Sequence, residues 1–169
     1  MKLDQFKITL DAFLQGPQPY RNLYVWYGEA DGLAALLPAG QTQSLDLFQL
    51  AAGLSRHPFA QDEANELLRD VLRARLRAWY SDSAGAHPTM GAHPIMIVSG
   101  CELLARYRVG LHPFYDVLTD HSMIILICSA VDAAYNPAGR LPGYVQCEPG
   151  TTLAYLSRLV EDDHVVTTG

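Results

Sequence analysis

Two glycines, Gly28 and Gly32, bracket a short acidic turn that follows the apolar run Leu23 to Tyr27. A buried strand, a glycine turn and a helix are the order in which many proteins bind a phosphate group. Glycines let the backbone N–H groups of such a turn point inward, toward the phosphate oxygens. The first chemistry to consider is therefore phosphate binding, which uses the motif G-x-x-x-x-G-K-[ST].

The residues after the glycines do not supply that chemistry. If the first glycine of the turn begins the motif, Leu33, Ala34 and Ala35 stand where the second glycine, the lysine and the hydroxyl are needed. In the other possible register, a leucine and an alanine again replace the lysine and the hydroxyl. The turn also carries Glu29 and Asp31, whose negative charges repel a polyphosphate. We interpret the turn as a vestigial phosphate loop, made of Gly28, Glu29, Asp31 and Gly32.

The end of a later apolar run, Ile95 to Val98, lacks the partner of a phosphate loop. In ATPases of this layout, such a strand ends in an acid that holds the metal ion. Here Ser99 stands in that place, and Glu102 follows three residues later. We interpret this pair as a vestigial metal-binding strand end. A capping box explains it without catalysis, with Ser99 as the N-cap and Glu102 reaching back to it.

The same stretch, Ser99-Gly100-Cys101, offers an alternative chemistry, since a serine or cysteine after a strand can act as a nucleophile. The carboxyl ends of strands are where open α/β sheets place their sites. The chain contains no G-x-S-x-G nucleophile elbow, however. An enzyme that acts through Ser99 or Cys101 therefore remains a rival hypothesis.

The histidines raise the question of a metal site. Four of the six precede a proline, which is typical of turns and exposed loops. His87 and His93 lie six residues apart, with no third ligand at a recognisable spacing. We therefore expect no metal and no cofactor. The six are His57, His87, His93, His112, His121 and His164.

The charge of the chain bears on its partners. Its 169 residues carry a net charge of −6, which is unlike the basic surface of a protein that binds nucleic acid directly. Arg140, in the polar loop 135–144, is the cation best placed to meet an anion or a partner carboxylate. The odd number of cysteines without a C-x-x-C pair suits a reducing compartment, and no apolar run is long enough to span a bilayer. We expect a cytoplasmic protein with no membrane contact.

Apolar runs that alternate with helical patterns predict the fold. Strands are expected at 23–27, 44–47, 94–98, 123–128 and 143–147, and helices at 3–15, 33–37, 48–54, 61–80, from about Glu102, 112–118 and 153–159. The strands are apolar throughout, which favours a mostly parallel sheet covered on both faces. We predict a single α/β domain over 1–169, a three-layer sandwich with about five strands and a degenerate P-loop NTPase-like layout. It includes an N-terminal helix and linker at 1–19 and a flexible loop at 81–94.

The order of these segments resembles the small P-loop-like proteins of BREX phage-defence systems, BrxF above all and BrxB in part. The matching pieces are "YRNLYVWYG", "IMIVSGCELLARY", "SMIILICSAV" and "YVQCEPGTTLAYLSRL", and they cover about two thirds of the chain. BrxF proteins generally have a glycine-lysine loop and an acid after the third strand, so no nucleotide-binding residue carries over to this chain.

The resemblance implies a non-catalytic adaptor or assembly subunit of a bacterial antiviral system. Its partners would be the methyltransferase, the phosphatase-like protein and the large ATPase of that system, and DNA contact would come through them. A nucleotide-binding sensor or ATPase with a non-standard phosphate loop is a second hypothesis. The small α/β enzyme described above is the third.

Overall fold

The computed structural model describes residues 1–19, 21–54, 61–84, 93–129 and 151–169. The strands are β1 (Leu23–Tyr27), β2 (Thr42–Asp46), β3 (Ile95–Ser99), β4 (Met123–Cys128) and β5 (Val165–Thr167). The helices are α1 (Leu3–Gln15), α2 (Ala30–Ala34), α3 (Leu47–Ala52), α4 (Gln61–Trp79), α5 (Glu102–Arg106), α6 (His112–Tyr115) and α7 (Thr151–Leu156). The strands form one sheet in the order β2-β3-β4-β1-β5, and every neighbouring pair is parallel.

The three central strands are apolar because both of their faces are covered. The first four residues of β1, β3 and β4 are all buried, whereas β2 exposes Gln43 and Ser44 at one edge of the sheet. Since successive side chains of a strand point to opposite faces, a strand buried on both faces must be apolar at every position. The predicted parallel α/β sheet of about five strands is therefore confirmed within the described residues.

Each face of the sheet has its own hydrophobic core. On one face, α1 and the Leu33 side chain of α2 pack against Tyr24, Trp26 and the alternate residues of β3 and β4. On the other face, side chains of α3 to α7 pack against Leu23, Val25 and the remaining strand positions. The result is a helix–sheet–helix arrangement of three layers.

Aromatic side chains bind the first helix to the sheet. The ring of Phe6 meets the rings of Tyr24 and Trp26 edge-on, with centroids 5.6 and 5.8 Å apart. This geometry is favourable because the positive edge of one ring faces the negative face of another. Tyr24 and Trp26 are 3% and 1% exposed, so they are core residues rather than a binding platform.

Several element boundaries differ from the sequence prediction. Helix α2 begins three residues earlier than expected, and α7 spans Thr151–Leu156 instead of 153–159. Strand β5 was not predicted, while the strand predicted at 143–147 lies outside the described residues. Within the predicted loop 81–94, Tyr80–Ala84 forms a π-helical turn that continues α4, and residues 85–92 lie outside the described part. In the described ranges, no helix combines the length and apolar character needed to cross a membrane.

His93 contradicts the expectation that the histidines before prolines lie in exposed loops. It is 6% exposed, and its ring meets the edge of Phe13 at a centroid distance of 5.3 Å. Its Nδ1 atom has no hydrogen-bond partner among the described residues. Burial, and to a smaller extent the neighbouring His121, lower the pKa of His93 from its usual 6.5. His112 is exposed as expected, while His57 and His87 lie outside the described residues.

The lowered pKa of His93 predicts a pH-dependent free energy of unfolding. Because the folded-state pKa of His93 is lowered, the unfolded chain binds a proton at this side chain at a higher pH than the folded protein does. The unfolded state is then favoured, so stability decreases as the pH falls from about 7.5 to about 5.5. The measurement is the denaturant midpoint at both pH values for the wild type, His93→Gln and, as an exposed control, His112→Gln. An unchanged pH dependence in His93→Gln would contradict the prediction.

Candidate functional site

All five strands end at one edge of the sheet, which we call the carboxyl edge and define by Tyr27, Asp46, Ser99, Cys128 and Thr167. The two features singled out in the sequence, the turn after β1 and the end of β3, both lie there. Strand β4 runs between them, which separates them by roughly 10 Å at the usual strand spacing. The connection after β1 packs on one face of the sheet and the connection after β3 packs on the other. Such a divergence opens the crevice in which parallel α/β sheets bind ligands.

Two hydrogen bonds hold the turn after β1, and one of them uses a backbone N–H group that a bound phosphate would need. The N–H group of Gly28 donates to the carbonyl of Cys128 at 3.2 Å, which extends the ladder between β1 and β4. The indole Nε1 of Trp26 donates to the carbonyl of Glu29 at 3.1 Å. The Gly28 amide is therefore committed to the protein and is not aimed at an open cradle.

Thr168, which follows β5, contacts the same turn. The hydroxyl of Thr168 donates to the Tyr27 carbonyl at 3.3 Å. A Cβ atom added at Gly28 would lie 2.6 Å from Thr168 Oγ1 and 2.9 Å from its Cγ2. A side chain at position 28 would therefore displace the Thr168 side chain, which follows β5 and lies directly against Gly28. Sequence patterns alone gave no sign of this contact, since it joins residues 140 positions apart.

The expected turn from Gly28 to Gly32 is shorter than predicted. Helix α2 begins at Ala30, so Asp31 and Gly32 are already helical, and only Gly28 and Glu29 connect β1 to α2. Leu33 explains the early start, because its fully buried side chain draws the segment onto the core beside Trp26. Two residues are too few to wrap a phosphate in the manner of a motif with four residues between its glycines. Glu29 and Asp31 remain exposed to solvent.

The end of β3 does not form the predicted capping box. Ser99 is the last residue of the strand, Gly100 follows with φ +72°, and the N-cap position of α5 is Cys101. The assignment of Ser99 as the N-cap is therefore wrong, although the helix begins at Glu102 as predicted. The physical reason is the left-handed conformation of Gly100, which turns the chain sharply and moves the N-cap from Ser99 to Cys101.

A small hollow lies beside the end of β3. It has a volume of about 190 Å³, which is less than the roughly 300 Å³ at which small-molecule pockets begin. Its polar lining consists of carboxylates and hydroxyls, and no described cation lines it. The lining residues are Asp46, Phe48, Ser99, Gly100, Glu102, Ile127 and Ser129.

Two members of this hollow were not identified as site residues from the sequence. Asp46 ends β2, and its Oδ1 accepts a hydrogen bond from the backbone N–H of Phe48 at 2.9 Å, which caps α3. Ser129 follows β4 directly. The available signal was their position just after apolar runs, because the ends of parallel strands meet at one edge. The lining includes both Ser99 and Glu102, whereas Gly28, Glu29, Asp31 and Gly32 are not part of it.

Within the described part of the chain, no group activates either proposed nucleophile. Cys101 is fully buried, its thiol contacts the carbonyl of Val98 at 3.4 Å, and burial together with the nearby Glu102 raises the pKa of Cys101 well above its usual range. A buried neutral thiol of this kind is a poor nucleophile. Ser99 is half-buried in the hollow, and none of the described histidines lines that hollow. Arg140, the predicted anion or partner contact, lies outside the described residues.

The sharp turn after β3 makes Gly100 a sensitive position. An added Cβ atom would lie 2.6 Å from Phe48 Cδ2 and 3.0 Å from its backbone nitrogen, at a φ that side chains rarely adopt. We expect Gly100→Ala to lower the free energy of unfolding by about 1–3 kcal/mol. Gly40→Ala is the matched control, because nothing lies within 4 Å of its added Cβ atom. Equal denaturant midpoints for the two variants would refute the assignment of this turn.

Comparison with known proteins adds no relative from which a function can be transferred. No protein-family model, no curated protein and no solved structure matches the chain. The functional argument therefore rests on the carboxyl edge itself, on its closed turn after β1 and on its acidic hollow beside β3.

Proposed function

We propose that this chain is a non-catalytic, P-loop-like adaptor subunit of a bacterial antiviral assembly of the BREX type, acting in the cytoplasm. The observation that carries the proposal is the closed turn after β1. Its first glycine donates its N–H group to the Cys128 carbonyl and lies against the Thr168 side chain, so this amide is not available to a phosphate. The cavity of about 380 Å³ beside the turn is lined by Glu29 and by no described lysine or arginine. We therefore infer that the domain acts through its surfaces and not on a nucleotide.

The charges along the carboxyl edge support the same proposal. The side chains of Glu29 and Asp31 are exposed beside the turn, and Asp46 and Glu102 line the hollow. Negative charges at this density repel the phosphates of a nucleotide, and no described lysine or arginine lines the hollow. A net charge of −6 also disfavours direct contact with DNA, and we propose that partner proteins make that contact.

The cysteines agree with a reducing compartment. Cys101 and Cys128 are both buried, and they pack among apolar side chains of the core. Buried thiols of this type behave as small hydrophobic residues and are compatible with the cytoplasm, where thiols stay reduced.

Nucleotide binding is the first test of the proposal. We expect calorimetry with ATP, GTP and their diphosphates, each with magnesium, to show no binding tighter than a Kd on the order of 1 mM. The reason is the acidic edge together with the occupied amide of Gly28. Magnesium-dependent binding with a micromolar Kd, lost in Glu102→Gln, would instead support the nucleotide-binding hypothesis.

Assembly is the second test. We expect the full chain, co-expressed with the methyltransferase, the phosphatase-like protein and the large ATPase of one BREX system, to elute with at least one of them in size-exclusion chromatography. The measurement is the Kd of the purified pair, which we expect in the micromolar range or below, as for other specific interfaces. Separate elution of this chain from all three components at concentrations on the order of 10 µM would contradict the adaptor role.

A further inference from the structure

The connection between α7 and β5 brings one histidine and two carboxylates together. Glu161, Asp163 and His164 each offer one ligand atom, and these atoms lie within 4.8 Å of one another. The Nε2 atom of His164 is 3.9 Å from Glu161 Oε2 and 3.8 Å from Asp163 Oδ1. This group, which we call the Glu-Asp-His cluster, sits at the start of β5 and therefore at the amino edge of the sheet, opposite the acidic hollow.

A hydrogen bond to the backbone fixes the tautomer of the His164 ring. The Nδ1 atom of His164 lies 2.9 Å from the carbonyl oxygen of Leu23, the first residue of β1. Because a carbonyl only accepts hydrogen bonds, Nδ1 must carry the proton. In the neutral ring, Nε2 then presents its lone pair toward the two carboxylates. A backbone carbonyl in this position is the usual orienting partner of a histidine that binds a metal.

The ring is also held rigidly in place. His164 is 7% exposed and stacks on Tyr24, with ring centroids 4.6 Å apart and an interplanar angle of 28°. The His164 side chain is 9% exposed, and its Nε2 atom lies within ion-pair distance of both carboxylates. A largely buried imidazole, oriented by a backbone carbonyl and placed beside two acids, is the second observation, beyond the acids themselves, that points to a ligand at this place.

From this geometry we propose that the Glu-Asp-His cluster binds a divalent transition-metal ion, with Zn²⁺ as the best match. One imidazole nitrogen and two carboxylate oxygens suit Zn²⁺, whereas Mg²⁺ and Ca²⁺ prefer oxygen ligands alone. Metal–ligand distances near 2.1 Å in a tetrahedron require ligand atoms roughly 3.4 Å apart. The two distances from Nε2 exceed this by about half an ångström, all three ligand atoms lie within 4.8 Å of one another, and both acids are 71% exposed, so their side chains can move to close the gap.

The position of the cluster assigns the ion a structural role. All three ligands belong to the 3₁₀ turn Asp162–His164 or directly precede it, and the following residues form β5. An ion there would tie this turn to the start of β1 through the His164 ring. It would thereby stabilise the pairing of β5 with β1 at Val25, Trp26 and Tyr27.

Zinc titration of the full chain tests the proposal. We expect calorimetry with ZnCl₂ at neutral pH to show a site with a Kd on the order of 10 µM or tighter. Glu161→Gln and Asp163→Asn should each weaken zinc affinity by about tenfold or more. Even the mutation of residues that only contact the metal ligands reduces metal affinity by that factor. The matched control is Asp162→Asn, which removes the same charge from the same turn but lies outside the cluster.

Two readouts decide between this site and the alternatives. Zinc should shift the Nε2 resonance of His164 in ¹⁵N spectra of the imidazole rings, and it should raise the melting temperature of the wild type but not of Asp163→Asn. No saturable zinc binding below a Kd on the order of 100 µM would overturn the proposal. An equal loss of zinc affinity in Asp162→Asn would also overturn the proposal, because it would show that zinc is attracted to the acidic charge of the turn in general. Zinc shifts confined to other histidines or to the cysteines would place the ion elsewhere and overturn it as well.

Discussion

The hydrogen bonding of β1 is the constraint on which the rest of the molecule depends. This strand lies inside the sheet, with β4 on one side and β5 on the other, and its first four residues are buried. Its backbone also anchors groups outside the sheet, because Leu23 accepts a hydrogen bond from His164 and Tyr27 accepts one from Thr168. Both ends of β1 are thus tied to the C-terminal segment. The shape of the turn at one end and of the Glu-Asp-His cluster at the other follows from this single strand.

The central strands could be predicted from the sequence for a simple reason. The bounds of β1 and β4 match the apolar runs at 23–27 and 123–128, because strands buried on both faces carry their signal in every residue. The three-residue β5 carries no such signal. Val166 of β5 is buried in the core that α1 forms with the sheet, and this long-range contact is visible only in the folded chain. The early start of α2 has the same origin, since Leu33 is placed by its burial and not by local helix preference.

The residues of the candidate site also divide into those that the sequence identified and those that only the structure shows. Sequence reasoning singled out the turn after β1 and the end of β3, and the structure places both at one edge, because parallel strands share their direction. It did not find that Gly28 is covered by Thr168, or that His93 and His164 are buried. Each of these depends on residues far apart in the chain. Local patterns report which residue types follow a strand, whereas contacts between distant segments decide whether a glycine is open to a ligand and whether a histidine meets water.

The outer strands of the sheet also limit how copies of this protein can meet one another. Unpaired strand edges invite sheet-to-sheet addition and fibre growth, and proteins protect them with polar residues or by keeping them short. Here β2 exposes Gln43 and Ser44, and β5 has three residues, with Lys2 forming a bridge to Thr167 on its flank. Among the described residues, neither rim offers a long apolar template. Rims of this kind disfavour the addition of a strand from another copy of the chain and therefore amyloid-like stacking.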